Sequence, residues 1–331
     1  MTEMTEEDGS ATLQKVLVTG SSGFIGQALC RRLLADGLSV LGLDTREPGQ
    51  AAAWEHRTID VMDSEALSAA FEQYQPDAII HLAARTDLEG KTVEDYEVNR
   101  QGVRNICDVV AATPSVRRSI YTSSQLVCAI GSTPKSDTDY SPNTVYGESK
   151  VATEMVVRET NGGDVCWSLV RPTTVWGPGM SQHYQTVLRM IDKGLFFHSG
   201  WGALYKSYAF IDNIVHQYVQ LLHVPRETIN GRTFVLADYE PFSLRDYLNA
   251  LADELGRRRP VTVPLPAAHM LAFAGDVLNR VGVPFPYNSF RLNNIRTEYT
   301  VDVSKTEEVC GPVPVSFPDG VKRTVAWFRS A

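Results

Sequence analysis

Tyr146 and Lys150 are the residues whose types and spacing most directly suggest chemistry. They stand four positions apart, so a helix would present both side chains on one face. A tyrosine is a poor base at neutral pH because its free pKa is about 10. A neighbouring ammonium and a positively charged nicotinamide ring would both favour the phenolate. The pair therefore predicts a general acid/base beside a hydride carrier, with Lys150 also able to bond the nicotinamide ribose.

Two serines follow the predicted strand Ser119–Tyr121. Open α/β sheets bind ligands beyond the carboxyl ends of their strands, so Ser123 and Ser124 are placed to reach a ligand. The hydroxyl of Ser124 could bond a substrate hydroxyl or carbonyl and share a proton with Tyr146. We predict Ser124, Tyr146 and Lys150 as the catalytic residues, and Ser123 as a neighbour of the nicotinamide.

A glycine-rich turn predicts where a dinucleotide would lie. The apolar run Leu13–Thr19 opens into a turn over residues 20–26 with glycine at every third position, followed by the start of a helix. Gly20 would make the bend, Gly23 would let the backbone approach a pyrophosphate, and Gly26 would let the helix pack against its strand. The phosphates would meet free N–H groups at the positive end of the helix.

Asp44 predicts which dinucleotide is preferred. It ends a second predicted strand, Ser39–Leu43, and lies 18 residues after Gly26. A carboxylate there can accept both hydroxyls of the adenosine ribose and repels a 2′-phosphate. This favours NAD over NADP, although Arg46, two residues on, could accommodate a phosphate.

The order of predicted elements indicates the fold class. Strands and helices alternate through the first half, which argues for a parallel sheet with helices on both faces. We predict an α/β fold: a Rossmann-type doubly wound parallel sheet with a smaller mixed α/β C-terminal substrate-binding domain. The cofactor domain would span residues 12–172, with 207–237 returning to it, and the substrate-binding domain would take 173–206 and 238–331.

Composition excludes several classes of function. The chain has 331 residues and a formal net charge of −8, so it offers no basic face for nucleic acid. Five scattered cysteines are typical of reduced thiols in a cytoplasmic protein. Residues 1–11 form a polar lead-in that we expect to be disordered, and they carry no apolar segment of a signal peptide. The histidines show no metal-ligand spacing, so no metal is predicted.

No run of the sequence is long enough for a membrane span. The apolar stretch Ala267–Leu278 is interrupted by His269 and Asp276. We predict that it forms a core-facing helix, and a helix on a membrane surface is the more remote alternative.

These motifs together resemble the extended short-chain dehydrogenases/reductases of the NAD-dependent epimerase/dehydratase family. They come in the family's order over about 170 residues, and the C-terminal half matches more loosely. The matching segments are Thr19–Gly26, Asp44, Asp60-Val61, His81–Arg85, Asn99, Ser123-Ser124, Tyr146–Lys150, Arg171-Pro172 and Trp176–Gly179, then Lys206–Asn213 and Tyr299–Lys305.

The resemblance implies roles for further residues. Members of the family usually act on nucleotide-linked sugars, and their variable C-terminal part binds the nucleotide. The implied cofactor-binding set is Gly20, Ser22, Gly23, Phe24, Ile25, Gly26, Asp44, Asp60, Val61, Leu82, Ala83, Ala84, Arg85, Asn99, Ser123, Tyr146, Lys150, Pro172, Thr173 and Val175. Besides Ser124, the implied substrate-binding candidates are Lys206, Arg291 and Arg296.

Departures from the family pattern reduce the number of reactions that the protein could catalyse. Family dehydratases carry an Asp-Glu pair just after the catalytic threonine, whereas Gln125 and Leu126 follow Ser124 here. Without that carboxylic acid, removal of a β-hydroxyl as water lacks its proton donor. Lys206 replaces a family arginine and loses bidentate phosphate geometry.

The sequence favours an NAD-dependent nucleotide-sugar epimerase that oxidises a sugar hydroxyl transiently and returns the hydride. A net dehydrogenase or ketoreductase, acting on a nucleotide sugar or a hydroxysteroid-like alcohol, is the alternative. A non-catalytic NAD-sensing regulator is a more remote one. The family also implies a homodimer packed through helices Val93–Ala112 and Thr144–Thr160.

Overall fold

The computed structural model describes residues 13–49, 52–283, 285 and 287–330, so the predicted lead-in at residues 1–11 lies outside the described part. The strands are β1 Lys15–Thr19, β2 Ser39–Asp44, β3 Glu55–Thr58, β4 Ala78–His81, β5 Arg118–Thr122, β6 Cys166–Pro172, β7 Thr174–Trp176, β8 Phe197–Ser199, β9 Tyr205–Lys206, β10 Tyr208–Phe210, β11 Arg232–Leu236, β12 Phe242–Ser243 and β13 Val261–Val263.

The α-helices are α1 Phe24–Ala35, α2 Ser64–Tyr74, α3 Val103–Ala111, α4 Val145–Glu159, α5 Asn161–Asp164, α6 Gln182–Asp192, α7 Ile211–His223, α8 Arg226–Ile229, α9 Leu244–Glu254, α10 Leu265–Arg280, α11 Ser289–Arg296, α12 Ser304–Cys310 and α13 Phe317–Ser330. Short 3₁₀ helices lie at Val93–Tyr96 and Gln125–Val127, and a π-helical turn lies at Val98–Gly102.

The described residues divide into two compact units. The first takes in the chain up to Ser124, together with Thr144–Arg171 and Gln217–Phe234. The second takes in Gln125–Asn143, Pro172–His216 and the chain from Val235 onward. Residues 125–143 and 207–216 thus group with the second unit, whereas the predicted cofactor domain included both segments. The predicted boundaries remain a prediction about where the two functions divide.

The first unit is built on a seven-stranded sheet in the order β11-β6-β5-β4-β1-β2-β3. Pairing is parallel from β3 through to β6, and β11 returns to the sheet as predicted. The chain runs outward in one direction from β1 to β3 and in the other from β4 to β6. The order therefore reverses between β1 and β4, where doubly wound sheets open a crevice for a ligand. The predicted fold class is confirmed.

One apolar cluster holds the helices to this sheet. Strand residues such as Leu17, Leu41 and Ile79 pack with Leu67 and Phe71 of α2, and all five are fully buried. Burying such a side chain stabilises the fold by about 1.5–3 kcal/mol. The strands are apolar on both faces, as expected of a parallel sheet covered by helices.

The predicted helix Val93–Ala112 is present as one helical run from Val93 to Ala111, although its first part is not α-helical. A 3₁₀ turn and a π-helical turn precede α3. A Cβ on Gly102 would lie 2.7 Å from Cγ2 of Val61, so the backbone must approach Val61 closely here. Single π-helical turns of this kind are frequent at functional sites.

The second unit contains three two-stranded sheets: β10 with β7, β12 with β9, and β13 with β8. Its core is aromatic. The ring of Trp176, which is almost fully buried, lies 5.0 Å from the centroids of both Phe210 and Tyr247. Gly320 of α13 packs on the same rings, because a Cβ there would lie 2.8 Å from Trp176.

The prediction that Ala267–Leu278 faces the core is correct for one side of the helix and wrong for the side that carries Met270, Phe273 and Val277. In α10 the buried residues are Ala268, Ala272 and Gly275, while Met270 and Phe273 are exposed. Small side chains are buried because α10 approaches its neighbours closely. A Cβ on Gly275 would lie 1.9 Å from the carbonyl oxygen of Tyr287.

Candidate active site

Backbone and side-chain bonds tie β1 to β4 at the carboxyl edge of the sheet. Thr19 Oγ1 lies 2.8 Å from Nδ1 of the buried His81 and accepts a hydrogen bond from the amide of Ala83 at 3.2 Å. The Leu82 amide donates to the carbonyl oxygen of Thr19 at 3.1 Å. The segment from Leu82 to Ala84, predicted to face the cofactor, is thus fixed beside the glycine turn.

The glycine turn has the geometry that a pyrophosphate cradle requires. Gly20 has a φ of +71°, and its carbonyl accepts from the Gly23 amide at 3.0 Å. Gly23 is the N-cap of α1, and no side chain caps this helix end. The first N–H groups of α1 are therefore free of side-chain acceptors, and the first turn carries no acidic residue to repel an anion. Of the predicted residues, Phe24, Ile25 and Gly26 form that first turn.

Asp44 lies beside this turn at the end of β2. Its Oδ2 accepts from the Ser22 amide and its Oδ1 accepts from the Arg46 amide, each at 3.0 Å. A carboxylate has about four acceptor sites, so these bonds orient it and leave sites for a ribose diol. Arg46 Nε lies 3.6 Å from the same carboxylate, but its side chain is 73% exposed. The residues fit the adenosine end of NAD.

Tyr146 and Ser124 are brought together. Tyr146 lies in the first turn of α4, which is capped by the side chain of Thr144. Burial raises the pKa of Tyr146 to about 12, and the hydrogen bond with the side chain of Ser124 partly offsets this. The phenol is therefore protonated at neutral pH until further positive charge is placed near it. Because Ser124 follows β5, the bond brings the phenol to the carboxyl edge of the sheet.

Lys150 lies one turn further along α4 and is buried. Its Nζ donates to the carbonyl oxygen of Thr122 at 2.8 Å, which leaves two of its three donors for a ligand. Burial lowers the pKa of Lys150 to about 8, and the nearby Glu154 acts in the opposite direction.

A buried ion pair anchors the helix that carries these two residues. Arg171 Nε and Nη2 donate to the two carboxylate oxygens of Glu154 at 2.7 and 2.8 Å. The side chains are 4% and 0% exposed. Removing one partner from such a pair costs about 3–5 kcal/mol because the other charge is left buried. The pair fixes α4 against β6.

Asn99 and Arg85 belong to the predicted cofactor set, and their side chains also bond within the protein, as the structural or active-site water role that the resemblance implies for Asn99 would require. The Asn99 amide accepts from the Arg85 N–H at 2.8 Å, and it donates to the Arg85 carbonyl and to Ser149 Oγ, both at 3.0 Å. The Arg85 guanidinium pairs with Asp87 at 2.8 Å and lies over the ring of Tyr96. Asn99 thereby joins the segment after β4 to α4.

The other predicted residues of the first unit lie near the same edge. Asp60 accepts from the Met62 amide at 2.9 Å, and Val61 is buried against Gly102. Ser123 is 3% exposed, and its Oγ finds no hydrogen-bond partner within the described part of the chain. An orphaned hydroxyl at this position suits a polar ligand group.

The remaining predicted residues belong to the second unit. The Thr173 amide donates to the carbonyl oxygen of Leu236 at 3.0 Å, and Val175 pairs with Ala209 between β7 and β10. Pro172 ends β6.

The three predicted substrate cations of the second unit differ in exposure. Lys206 is buried, and its ammonium donates to the carbonyls of Asn294 and Thr297 at the end of α11. Arg291 is exposed on α11. Arg296 lines a cavity of about 330 Å³ together with Leu265, His269, Ser289, Leu292 and Asn293. The structure therefore does not bring these three cations together at one exposed surface.

Sequence reasoning missed Tyr96 and the role of His81. The ring of Tyr96 packs edge-on against Tyr146 at 5.9 Å between centroids, and its hydroxyl donates to the Asp87 carbonyl at 2.8 Å. Tyr96 therefore holds the orientation of the catalytic ring. No spacing signal could have found Tyr96, because the 3₁₀ turn that aims it depends on tertiary contacts. Within the described residues, no group of three His, Cys, Asp or Glu side chains could hold a metal ion.

His81 makes the protein's stability depend on pH. Burial, assisted by the charge of Lys150, lowers the pKa of His81 to about 3, whereas in the unfolded chain it is about 6.5. A depressed folded-state pKa gives stability that is complete above pH 6.5 and is lost as the pH falls towards 3. We expect the free energy of unfolding to fall by about 1.4 kcal/mol per pH unit in this window from this group.

Urea unfolding between pH 7.5 and pH 4 checks this expectation. The variant His81→Asn keeps a hydrogen-bonding side chain for Thr19 but has no titrating ring. Its stability should fall less steeply over this range than that of the wild type. Parallel curves for the two proteins would contradict the assignment.

The sequence profile of the NAD dependent epimerase/dehydratase family matches residues 16–237. The chain belongs to this family. Membership confirms the predicted resemblance, and it confirms that the protein is an NAD-dependent enzyme. The glycine turn, Asp44 and the Ser124–Tyr146–Lys150 group all lie within the matched residues.

Curated relatives represent more than one activity. The N-acetyl-alpha-D-glucosaminyl-diphospho-ditrans,octacis-undecaprenol 4-epimerase of Escherichia coli O157:H7 is 26% identical over 322 residues, covering 94% of each chain. The 3 beta-hydroxysteroid dehydrogenase/Delta 5→4-isomerase of Mycobacterium tuberculosis is 28% identical over 302 residues, covering 84% of this chain and 80% of that protein.

Among solved structures, the UDP-glucose 4-epimerase of Thermus thermophilus, in complex with NAD, has a TM-score of 0.71 at 22% identity. The match covers 96% of this chain and 100% of that one. The likeness agrees with the fold described above.

Proposed function

We propose that this protein is an NAD-dependent nucleotide-sugar epimerase that oxidises a sugar hydroxyl transiently and then reduces the ketone from its other face. The observation that carries the proposal is the hydrogen bond between Ser124 and Tyr146 at the carboxyl edge of the sheet, the edge that also bears the glycine turn. The UDP-glucose 4-epimerase of Mycolicibacterium smegmatis, 26% identical over 341 residues, supports the nucleotide-sugar class. The relative from Escherichia coli, whose sugar is linked through a diphosphate to undecaprenol, supports 4-epimerisation of a diphosphate-linked sugar.

Tyr146 and Ser124 have different roles in the proposed reaction. Tyr146 takes the proton of the reacting sugar hydroxyl, and the hydroxyl of Ser124 bonds the same sugar oxygen. NAD, held beside these residues, would supply a reversible hydride acceptor for the carbon that bears this oxygen. When the hydride returns, Tyr146 gives the proton back to the oxygen. The substrate changes configuration at one carbon, so protons and electrons balance without another reactant.

Positive charge determines when Tyr146 can act as a base. Its pKa of about 12 must fall for the phenolate to form near neutral pH. The cationic ring of an oxidised nicotinamide would add that charge, beside the ammonium of Lys150 that is already in place. Proton removal is thereby restricted to the loaded enzyme.

We further propose that the cofactor is held by the predicted set described above. The first turn of α1 would hold the pyrophosphate, Asp44 would hold the adenosine ribose and Lys150 would hold the nicotinamide ribose. Asp60 and Val61 would contact the adenine, and Pro172, Thr173 and Val175 would meet the carboxamide.

On the substrate side, Arg296 is the strongest of the predicted candidates because it lines a cavity. We also propose a cytoplasmic homodimer. Five free cysteines suit a reducing compartment. The half-exposed Met155 lies on α4, one of the two segments predicted to form the dimer contact. Light scattering that finds a monomer at micromolar concentration would contradict the dimer.

The test is NMR of the purified protein with UDP-, GDP-, CDP- and dTDP-linked sugars, adding no external cofactor. New anomeric signals from one sugar, without accumulation of NADH absorbance, are the expected result. They would name the substrate and the reaction together. Net formation of NADH in proportion to substrate would contradict epimerisation and favour a dehydrogenase.

A net dehydrogenase acting on an apolar alcohol is the second candidate. The relative from Mycobacterium tuberculosis is named as a hydroxysteroid dehydrogenase, and the second unit exposes several large apolar side chains on α10. The same NMR and absorbance measurements with a hydroxysteroid in place of the sugars distinguish the two candidates.

A further inference from the structure

Helix α10 buries small residues on its inner face, half-buries its leucines and exposes Met270, Phe273 and Val277. Ala268, Ala272 and Leu292 form a buried apolar cluster between α10 and α11. Helices at the surface of a soluble domain normally pack their large apolar side chains inward. At Gly275 of α10, the close approach of the Tyr287 carbonyl leaves no room for a side chain.

The outer face of α10 carries a continuous apolar stripe. Met270 and Phe273 are 69% and 67% exposed, Val277 is 42% exposed, and Val281 just beyond the helix is 68% exposed. Their spacing of three or four residues places them along one side of the helix. Phe290, at the start of α11, is 66% exposed. We call these five residues the apolar face. Large exposed patches of this kind mark interaction sites.

The charge around the apolar face is opposite to that of the chain. Between residues 264 and 297 there are three arginines and one aspartate, a net charge of +2, whereas the whole chain carries −8. The aspartate, Asp276, accepts from the Ser289 amide at 3.3 Å. Arg280 and Arg291 are exposed, and neither is paired with a carboxylate within the part of the chain that the structure describes.

We propose that α10 and the start of α11 dock on the surface of an anionic lipid bilayer. Phe273 and Met270 would enter the boundary between headgroups and acyl chains, and Arg280 and Arg291 would meet the lipid phosphates. No helix within the described residues is both long and apolar enough to cross a bilayer, so the contact is a surface one. Membrane association of this kind does not depend on which reaction the protein catalyses.

A second copy of the chain fits the apolar face less well. A two-fold contact places the same patch on both sides of the interface. Arg280 and Arg291 of one copy would then meet their counterparts, and Asp276 is the one carboxylate between residues 264 and 297 to balance them. An anionic lipid surface supplies the missing negative charge without that repulsion.

Co-sedimentation with lipid vesicles tests the proposal. The full-length protein is mixed with vesicles of phosphatidylcholine containing phosphatidylglycerol, and with vesicles of phosphatidylcholine alone. We expect sedimentation with the anionic vesicles that weakens as salt is added. The double variant Met270→Gln/Phe273→Gln should lose at least about tenfold in vesicle affinity, because it removes two apolar side chains that would leave water at the bilayer.

Two further variants separate apolar from charged contributions. Arg280→Gln and Arg291→Gln should each weaken binding to the anionic vesicles by about fivefold, as expected for about 1 kcal/mol per basic residue near such a surface. Leu195→Gln is the matched control, because Leu195 is a 64% exposed apolar residue of the same unit outside the apolar face. It should bind as the wild type does.

Three results would overturn the proposal. One is a wild-type protein that stays in the supernatant with anionic vesicles at low salt. Another is a double variant that binds vesicles as tightly as the Leu195→Gln control. The third is loss of self-association in the double variant, measured by light scattering, without any vesicle binding by the wild type. That last result would assign the apolar face to a second copy of the chain. Circular dichroism checks that the variants, altered only at exposed side chains, remain folded.

Discussion

Replacing Tyr146 with phenylalanine should lower kcat by about 10²- to 10⁴-fold, the contribution expected of a positioned general acid/base. The substitution removes one hydroxyl, which bonds Ser124, and leaves the ring packed against Tyr96 at 5.9 Å. The affinity for NAD should therefore stay close to that of the wild type. Turnover of the substrate that the nucleotide-sugar panel identifies gives kcat, and calorimetric titration gives the NAD affinity.

Tyr74→Phe is the matched control for this variant. Tyr74 is another buried phenol, and it lies at the end of α2 near the amino end of β1, where Lys15 Nζ donates to its carbonyl. Its loss of a hydroxyl should leave kcat unchanged. Equal turnover by Tyr146→Phe and Tyr74→Phe would remove Tyr146 from the mechanism.

Replacing Gly26 with alanine should strongly weaken NAD binding. The added Cβ would lie 2.1 Å from the carbonyl oxygen of Gly20 and 2.9 Å from Cα of Ser21. Both are backbone atoms, so the turn itself must move, and the free N–H groups of α1 would move with it. Overpacking of this kind costs about 1–3 kcal/mol of stability. We expect NAD affinity to fall by more than about tenfold, measured by calorimetric titration, with a lowered Tm.

Gly49→Ala is the control for this second variant. A Cβ on Gly49 meets no heavy atom within 4 Å, and its φ lies outside the left-handed region. Its NAD affinity and Tm should equal those of the wild type. A Gly26→Ala protein that binds NAD normally would show that the turn does not hold the pyrophosphate.

Local patterns predicted most of the first unit. The apolar strand and glycine spacing located β1 and α1. At the start of α2, the side chain of Asp63 accepts from the Ala66 amide at 3.0 Å, a local capping bond that aspartate favours. These features depend on residues that lie close together in the chain. The same is true of Tyr146 and Lys150, whose four-residue spacing sets their common helix face.

Features set by tertiary contacts could not be predicted. The hydrogen bonds of the Asn99 side chain are made with Arg85 and Ser149, which lie 14 and 50 residues away in the chain. Some strands of the second unit, such as β9 and β12, have two residues each. They are too short to show the alternation of apolar and polar residues by which a strand is predicted. The orientation of α10 depends on how closely Tyr287 approaches Gly275, and composition alone suggested a core-facing helix.

The distance between the phenol oxygen of Tyr146 and the nicotinamide ring is the quantity on which the account depends. A crystal structure of the protein with NAD and a bound nucleotide sugar measures it most directly. We predict that the pyrophosphate lies on the first turn of α1. The Tyr146 oxygen should be within about 3 Å of a sugar hydroxyl whose carbon faces the nicotinamide. A nicotinamide ring directed away from Tyr146, or a pyrophosphate bound elsewhere, would contradict the proposed reaction.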